Sequence, residues 1–307
     1  MAKRKFSASS AAQLMQCPGS ADLELAIPGW KAPVVDETKG AKGVGTNLHD
    51  AMKPFGTLYS SELEDVADVL HEWALLHWTK RRPMCKDLLL YQEWVDKSAP
   101  AVLPSAGQVL MKILPTLEMV PPSLIHYVAD VAEELARLFG NNSISVWSRR
   151  CEESLEATWL QQPVNTTPDF IMFVHQDQGL QPQLIVVDYK TGKIPVSAAN
   201  NDQLRYYALT AIIVHGLKGL SHITYGILQP DNMDWQEDTA DELKAWGRQA
   251  LLTEQRILND DVTLVPGKSC TFCPANPHTR GDRGTPLCPA MMEMLYPSNV
   301  DMEEIFG

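Results

Sequence analysis

Positive charge is scarce in this chain. It has 26 Lys+Arg against 38 Asp+Glu, a formal net charge of -12, whereas a protein that coats nucleic acid non-specifically usually carries a basic balance. Long apolar runs are also missing, and no stretch approaches the roughly 18 consecutive apolar residues of a membrane span. The first ten residues, MAKRKFSASS, start basic but lead into no apolar segment, which sets the expectation of a cytoplasmic rather than a secreted protein with no membrane association. Six cysteines are too few for a disulfide scaffold, and 18 Gly with 21 Pro are too few for a collagenous or low-complexity chain. What remains is a globular composition, 45% hydrophobic and 21% charged over 307 residues. At about 150 residues per domain this allows one elaborated domain or two modest ones.

The cysteines lie at positions 17, 85, 151, 270, 273 and 288. In a reducing compartment an even count does not imply disulfides, so ligand spacing is the useful property. Cys270-Thr-Phe-Cys273 is a C-x2-C knuckle, and Cys288 follows in a Pro- and Gly-rich segment that cannot build a core of its own. Cys17, Cys273 and Cys288 are each followed by Pro, as in some iron-sulfur ligand runs. Zinc held by cysteines alone, or by cysteines with His278, fits the spacing too. Cys85 and Cys151 read as small buried hydrophobes.

Residues 7–17 read as a short Ser-capped helix, and 40–53 as a helix carrying His49. Three- and four-residue apolar spacing predicts helix over much of 61–97 and over 123–139, whereas five prolines between 98 and 122 suggest an irregular excursion. From 144 onward the pattern predicts the order β-β-β-α-β-α, with helices over 200–216 and 239–258 and a strand over 221–228. The expected organisation is N-terminal helices (1–53), a helical insertion (54–140), an α/β core (141–260) and a cysteine-bearing tail (261–307).

Two predicted strands carry acids where a metal would want them. Asp169 opens one, in T-P-D-F, and Asp188 ends the next, in V-V-D-Y-K. Alternation along a strand puts Asp188 and Lys190 on one face and turns the Tyr189 side chain away, leaving its carbonyl available. Two carboxylates and a carbonyl are hard oxygen donors suited to Mg2+ or Mn2+, and a neighbouring lysine can serve the attacking water. Alone, D-x-K is common on solvated strand ends. Here it is accompanied by Gly45-Thr46-Asn47-Leu48-His49 on an early helix and by Gln203 and Tyr207, one turn apart on a later one.

Together, T-P-D, V-D-Y-K and Q-L-R-Y-Y resemble the PD-(D/E)XK nuclease superfamily, in particular its RecB-like exonuclease branch. With Cys17-Pro18 and the C-terminal cysteines the chain is similar to the iron-sulfur subgroup that includes AddB, CRISPR-associated nucleases and phage exonucleases. The Cys273 to Cys288 spacing is longer than in that subgroup, and 54–140 has no counterpart there. The resemblance implies a restriction-endonuclease-like α/β core, a mixed central sheet flanked by helices. It further implies Mg2+ or Mn2+ held by His49, Asp169, Asp188 and the Tyr189 carbonyl, with Lys190, Gln203 and Tyr207 completing a catalytic set. Cys17, Cys270, Cys273 and Cys288 would bind a 4Fe-4S cluster, with Zn2+ as the alternative. The implied activity is exonucleolytic hydrolysis of DNA in recombination, repair or replication, in a bacterial cell or a phage-infected host. Implied partners are linear DNA ends, a helicase or a single-strand-binding or annealing protein, and other copies of the chain. Two alternatives stay open: a non-catalytic DNA-end-binding module of the same fold, and a zinc-stabilised nucleic-acid-binding protein. Glu152 or Glu153 is a further candidate for supporting the metals.

The basic residues are grouped: Lys3-Arg4-Lys5, Lys80-Arg81-Arg82, Arg149-Arg150, Lys190 with Lys193, and Arg280 with Arg283. Arg149, Arg150, Lys193 and Arg205 are the expected nucleic-acid contacts. The acidic stretch 231–242 is expected to face solvent while the basic groups converge on a groove leading to Asp188.

Overall fold

The computed structural model describes residues 5–30, 41–78, 104–117, 120–140, 148–174, 181–192, 194–276 and 287–295. A five-stranded mixed sheet flanked by helices organises them. Its strands are β1 (Ser148–Cys151), β4 (Phe170–Val174), β5 (Gln183–Tyr189), β6 (His222–Gln229) and β7 (Asn232–Thr239), neighbours in that order. β5 and β6 run parallel and the other pairs antiparallel. Two short strands, β2 (Leu155–Glu156) and β3 (Asn165–Thr166), pair separately between β1 and β4.

Alternation along the strands sorts two cores. Phe170, Met172, Ile185, Val187, Tyr189 and Leu228 face the helices α3 (Ala41–Met52), α4 (Ser60–Trp78), α5 (Pro104–Leu117) and α6 (Pro122–Gly140). Ile171, Phe173, Leu184, Val186 and Ile227 face α1 (Ala11–Gln16), α7 (Asp202–Val214) and α8 (Ala240–Leu258). The helices between 60 and 140 thus share one hydrophobic core with the sheet. Polar bonds reinforce the contact: the Tyr127 hydroxyl on α6 donates to the Leu228 carbonyl (2.7 Å), and Trp235 Nε1 on β7 donates to Glu134 (2.7 Å).

Local chemistry sets the helix starts. Asn201 caps α7, its side chain accepting from the amides of Gln203 and Leu204. Thr239 and Glu242 form a capping box on α8.

Two expectations are corrected here. The proline-rich segment contains a helix, α5, because Pro104 occupies the first helical position and Pro115 lies in the last turns. Between them Ala106, Val109, Leu110, Ile113, Leu114 and Leu117 form one buried face. The acidic stretch is not simply a solvated face either. It forms edge strand β7, whose Met233 and Trp235 pack on the first core while Asp238 is buried. Gly226 on β6 makes room for this, since a Cβ there would come within 2.6 Å of the Trp235 ring.

Candidate active site

The parallel β5-α7-β6 connection brings Asp188 at the carboxyl end of β5 against the first turn of α7. This is the end of an open α/β sheet where ligands commonly bind. Asp188 is 3% exposed and faces α7, while Tyr189 turns to the opposite core, as alternation requires. Lys190 Nζ lies 2.6 Å from Asp188 Oδ2 and donates to Gln203 Oε1 at 3.0 Å. Gln203 Nε2 in turn donates to Asp188 Oδ1 (3.1 Å) and to the Tyr207 hydroxyl (2.7 Å). Gln203 therefore touches all three partners, using both ends of its amide.

Asp169 approaches from the loop before β4. Its Oδ2 accepts from the Tyr189 amide at 2.6 Å, and its Oδ1 lies 3.2 Å from His49 Nδ1 on α3. The bonded Asp169 carboxylate raises the His49 imidazole above its ordinary value despite partial burial. Burial pushes the Asp188 carboxyl up to about 6, with Asp169 adding to the rise and Lys190 opposing it. Burial likewise raises the Tyr207 hydroxyl, which stays protonated at neutral pH.

One atom in this set stands out. Asp188 Oδ2 is buried with no hydrogen bond aligned to it, although the Lys190 ammonium is near. A buried carboxylate oxygen without an aligned donor is suited to a cation. The donor atoms of His49, Asp169 and Asp188 are not all within 4.8 Å of one another. His49 and Asp169 form one close pair and Asp188 stands further off.

Neighbouring residues extend the site beyond what the sequence pattern indicates. Glu152, at a positive φ of 46°, donates its amide to the Asp169 carbonyl and is paired with Lys53 at 2.6 Å. Glu153 turns elsewhere, to His215. Thr166 on β3 bonds to the Tyr207 hydroxyl. It stands three residues before Asp169, and only the β2/β3 pairing reveals its position.

The expected nucleic-acid contacts divide. The Arg205 guanidinium is held by Asp238, Nε to Oδ2 at 2.7 Å and a second nitrogen to Oδ1 at 3.1 Å, both side chains largely buried. The Arg149 head donates to the Leu58 carbonyl (2.6 Å) and lies 4.6 Å from the centre of the Phe139 ring. Arg150 is exposed. Lys193, Lys3, Arg4, Lys80 to Arg82, Arg280 and Arg283 lie outside the described residues, as do His278 and Cys85.

Four of the other five cysteines meet at one place. Cys17, Cys270, Cys273 and Cys288 are free thiols lining a single small pocket, partly open to solvent, with Leu23 and Met291 among its apolar walls. The Val265 amide donates to Cys17 Sγ and the Gly267 amide to Cys270 Sγ, both at 3.3 Å. Burial raises the Cys17 and Cys273 thiols. No three of these sulfurs lie within 4.8 Å of one another. The segments carrying them are stitched by ordinary bonds: Gln16 Oε1 accepts from the Ser269 amide and hydroxyl, and the Gly19 amide donates to the Thr263 carbonyl.

The family pattern described as "Protein of unknown function (DUF2800)" matches residues 124–306. The chain belongs to the DUF2800 family. The DUF2800 match takes in the sheet, Asp169, Asp188, Lys190, Gln203, Tyr207 and three of the pocket cysteines, whereas His49 and Cys17 lie before it. No curated protein matches the sequence. A solved structure, "Crystal structure of SSO0001", is similar at 13% identity over 67% of this chain and 91% of that one, with a TM-score of 0.26. A score that low says nothing of this DUF2800 protein's fold or activity. Among the described residues no helix is long and apolar enough to cross a membrane.

Proposed function

We propose that this protein is a Mg2+- or Mn2+-dependent deoxyribonuclease of the PD-(D/E)XK kind that degrades linear DNA from its ends, with a 4Fe-4S cluster at the four pocket cysteines. The observation that carries the reading is the closed set at the end of β5. Asp188, Lys190 and Gln203 are in mutual contact, Tyr207 backs Gln203, and His49 with Asp169 stands beside them.

The donor types suit a divalent cation, which would draw Asp188 toward the His49–Asp169 pair. His49 Nδ1, Asp169 Oδ1, an Asp188 oxygen and the Tyr189 carbonyl would hold it, and the buried Asp188 Oδ2 supplies an oxygen with no aligned donor. Such an ion supplies Lewis acidity at the phosphate and a more acidic bound water. The protein's own contribution is positioning. Gln203 holds the Lys190 ammonium beside Asp188, where a positive group can meet a phosphate oxygen or a water. Gln203 also fixes Tyr207, whose hydroxyl keeps its proton and offers a neutral wall to the site. The Asp169 bond to the Tyr189 amide fixes the peptide carrying the candidate carbonyl ligand.

At the cysteines, one zinc ion with bonds of about 2.3 Å would draw its ligand sulfurs to about 3.8 Å apart. The amide donors to Cys17 and Cys270 Sγ suit thiolates bound to an iron-sulfur cluster. Its role would be structural, clipping the N-terminal segment to the segment after α8. DNA ends are the proposed substrate, with a helicase or a single-strand-binding protein as partner in a bacterial or phage-infected cytoplasm. Purified protein incubated with linear DNA should hydrolyse it only with Mg2+ or Mn2+. Asp188→Ala and Lys190→Ala should abolish hydrolysis with the fold retained, and activity surviving both would overturn the proposal.

A further inference from the structure

A second group of metal-ligating side chains lies on the helical layer, in none of the elements that carry Asp188. His71 on α4 faces two carboxylates of α6: its Nε2 is 3.1 Å from Glu133 Oε1 and 3.7 Å from Asp130 Oδ1. The three donor atoms all lie within 4.8 Å of one another. Asp130 and Glu133 are three residues apart and so share one face of their helix, with His126 one turn earlier on that face. The His126 Nδ1 stands 3.0 Å from the His71 Nδ1.

We propose that His71, Asp130 and Glu133 bind a divalent transition-metal ion of the zinc class, with His126 as a positioning residue. Three observations converge on this. First, the spacing suits one ion: bonds of about 2.0–2.1 Å in a tetrahedral shell put neighbouring ligand atoms about 3.3 Å apart, between the two separations seen here. Second, an imidazole with two carboxylates is a donor set that Zn2+ and its first-row neighbours accept. Third, the ring is oriented from behind. His126 Nδ1 lies 3.0 Å from His71 Nδ1, and in the tautomer that carries the His71 proton on Nδ1 the Nε2 lone pair is directed at the carboxylates, the usual outer hydrogen bond of a metal-bound histidine.

The carboxylates add to the case. Two acids converge on one imidazole edge, and Asp231 in the turn between β6 and β7 adds negative charge near Asp130. In the opposite tautomer Nε2-H donates to Glu133 at 3.1 Å, so binding the ion would release that proton to solvent. The three side chains are 32%, 47% and 55% exposed, so the ion would keep water on its open side and exchange with solvent. It would join α4 to α6, the helices that cover the sheet.

The test is Zn2+ equilibrium dialysis of the full-length protein, counting metal per chain and checking fold by circular dichroism. The expected result is one Zn2+ fewer in His71→Ala and in Glu133→Gln than in the parent, while Asp188→Ala keeps it. Glu133 is more than half exposed, so Glu133→Gln decides the question if His71→Ala fails to fold. His126→Ala should weaken this site about tenfold or more, and His126→Asn, whose Oδ1 can accept the same hydrogen bond, should restore it. Equal Zn2+ content and affinity in the parent, His71→Ala and Glu133→Gln would overturn the proposal, whatever becomes of nuclease activity.

Discussion

Gln203 Nε2 donates to Asp188 Oδ1 while Gln203 Oε1 accepts from Lys190 Nζ, so one amide spans the acid and the base of the V-D-Y-K motif. An amide reads that pair in one orientation only. Replacing it by alanine frees the Lys190 ammonium and removes a donor from a buried carboxylate. Gln203→Ala should therefore slow DNA hydrolysis by about 10–100-fold, the usual loss when a supporting bond at a metal site is removed. Steady-state rates with Mg2+ varied check this, and an unchanged rate would place Gln203 outside the machinery.

Asp188 links the site to pH. Its folded carboxyl titrates at about 6 against an ordinary 3.8. A raised acid is a destabilising charge above pH 6, and the penalty is relieved as pH falls through 6 towards 3.8. In divalent-cation-free buffer, urea unfolding should thus find Asp188→Asn more stable than the parent at pH 8. That advantage should shrink as pH falls to 4.5, where the folded carboxyl takes up its proton. A difference independent of pH would contradict the burial argument.

Arg205 is a structural cation. Its two bonds to Asp238 join α7 to β7 in a largely buried pair, and removing one partner of such a pair costs about 3 kcal/mol. Arg205→Ala should lose about that much in urea unfolding. A stable Arg205→Ala protein with weakened DNA binding would return the residue to the nucleic-acid surface.

Gly19 permits the approach of the chain's two ends. A Cβ there would come within 2.6 Å of the Val262 and Thr263 backbone, which cannot yield as a side-chain tip does. Gly19→Ala should push Cys17 away from the other three cysteines, lowering both the thermal midpoint and the iron content of purified protein. Full iron content in this variant would show that the close approach is dispensable.

The sequence made the sheet strands β4 to β6 and the helices that flank them legible because their apolar periods are regular. Asp188, Lys190, Gln203 and Tyr207 were readable for the same reason, since strand alternation and one helical turn fix their directions. Other features depend on partners far along the chain. The Arg205 pairing with Asp238, on a strand beyond β6, is one of them. That strand was obscured by its charges, whereas Met233 and Trp235 on its inner face settle its pairing. Helix α5 was hidden by prolines at tolerated positions. The His71 group crosses between two helices and leaves no local motif.

The most direct measurement is the release of labelled product from end-labelled linear DNA, set beside an equal mass of closed circular DNA, with and without Mn2+ or Mg2+. Metal-dependent release from linear DNA, absent with the circle and lost in Asp188→Ala and Lys190→Ala, is the predicted result. No release under any metal condition from folded protein would contradict the account.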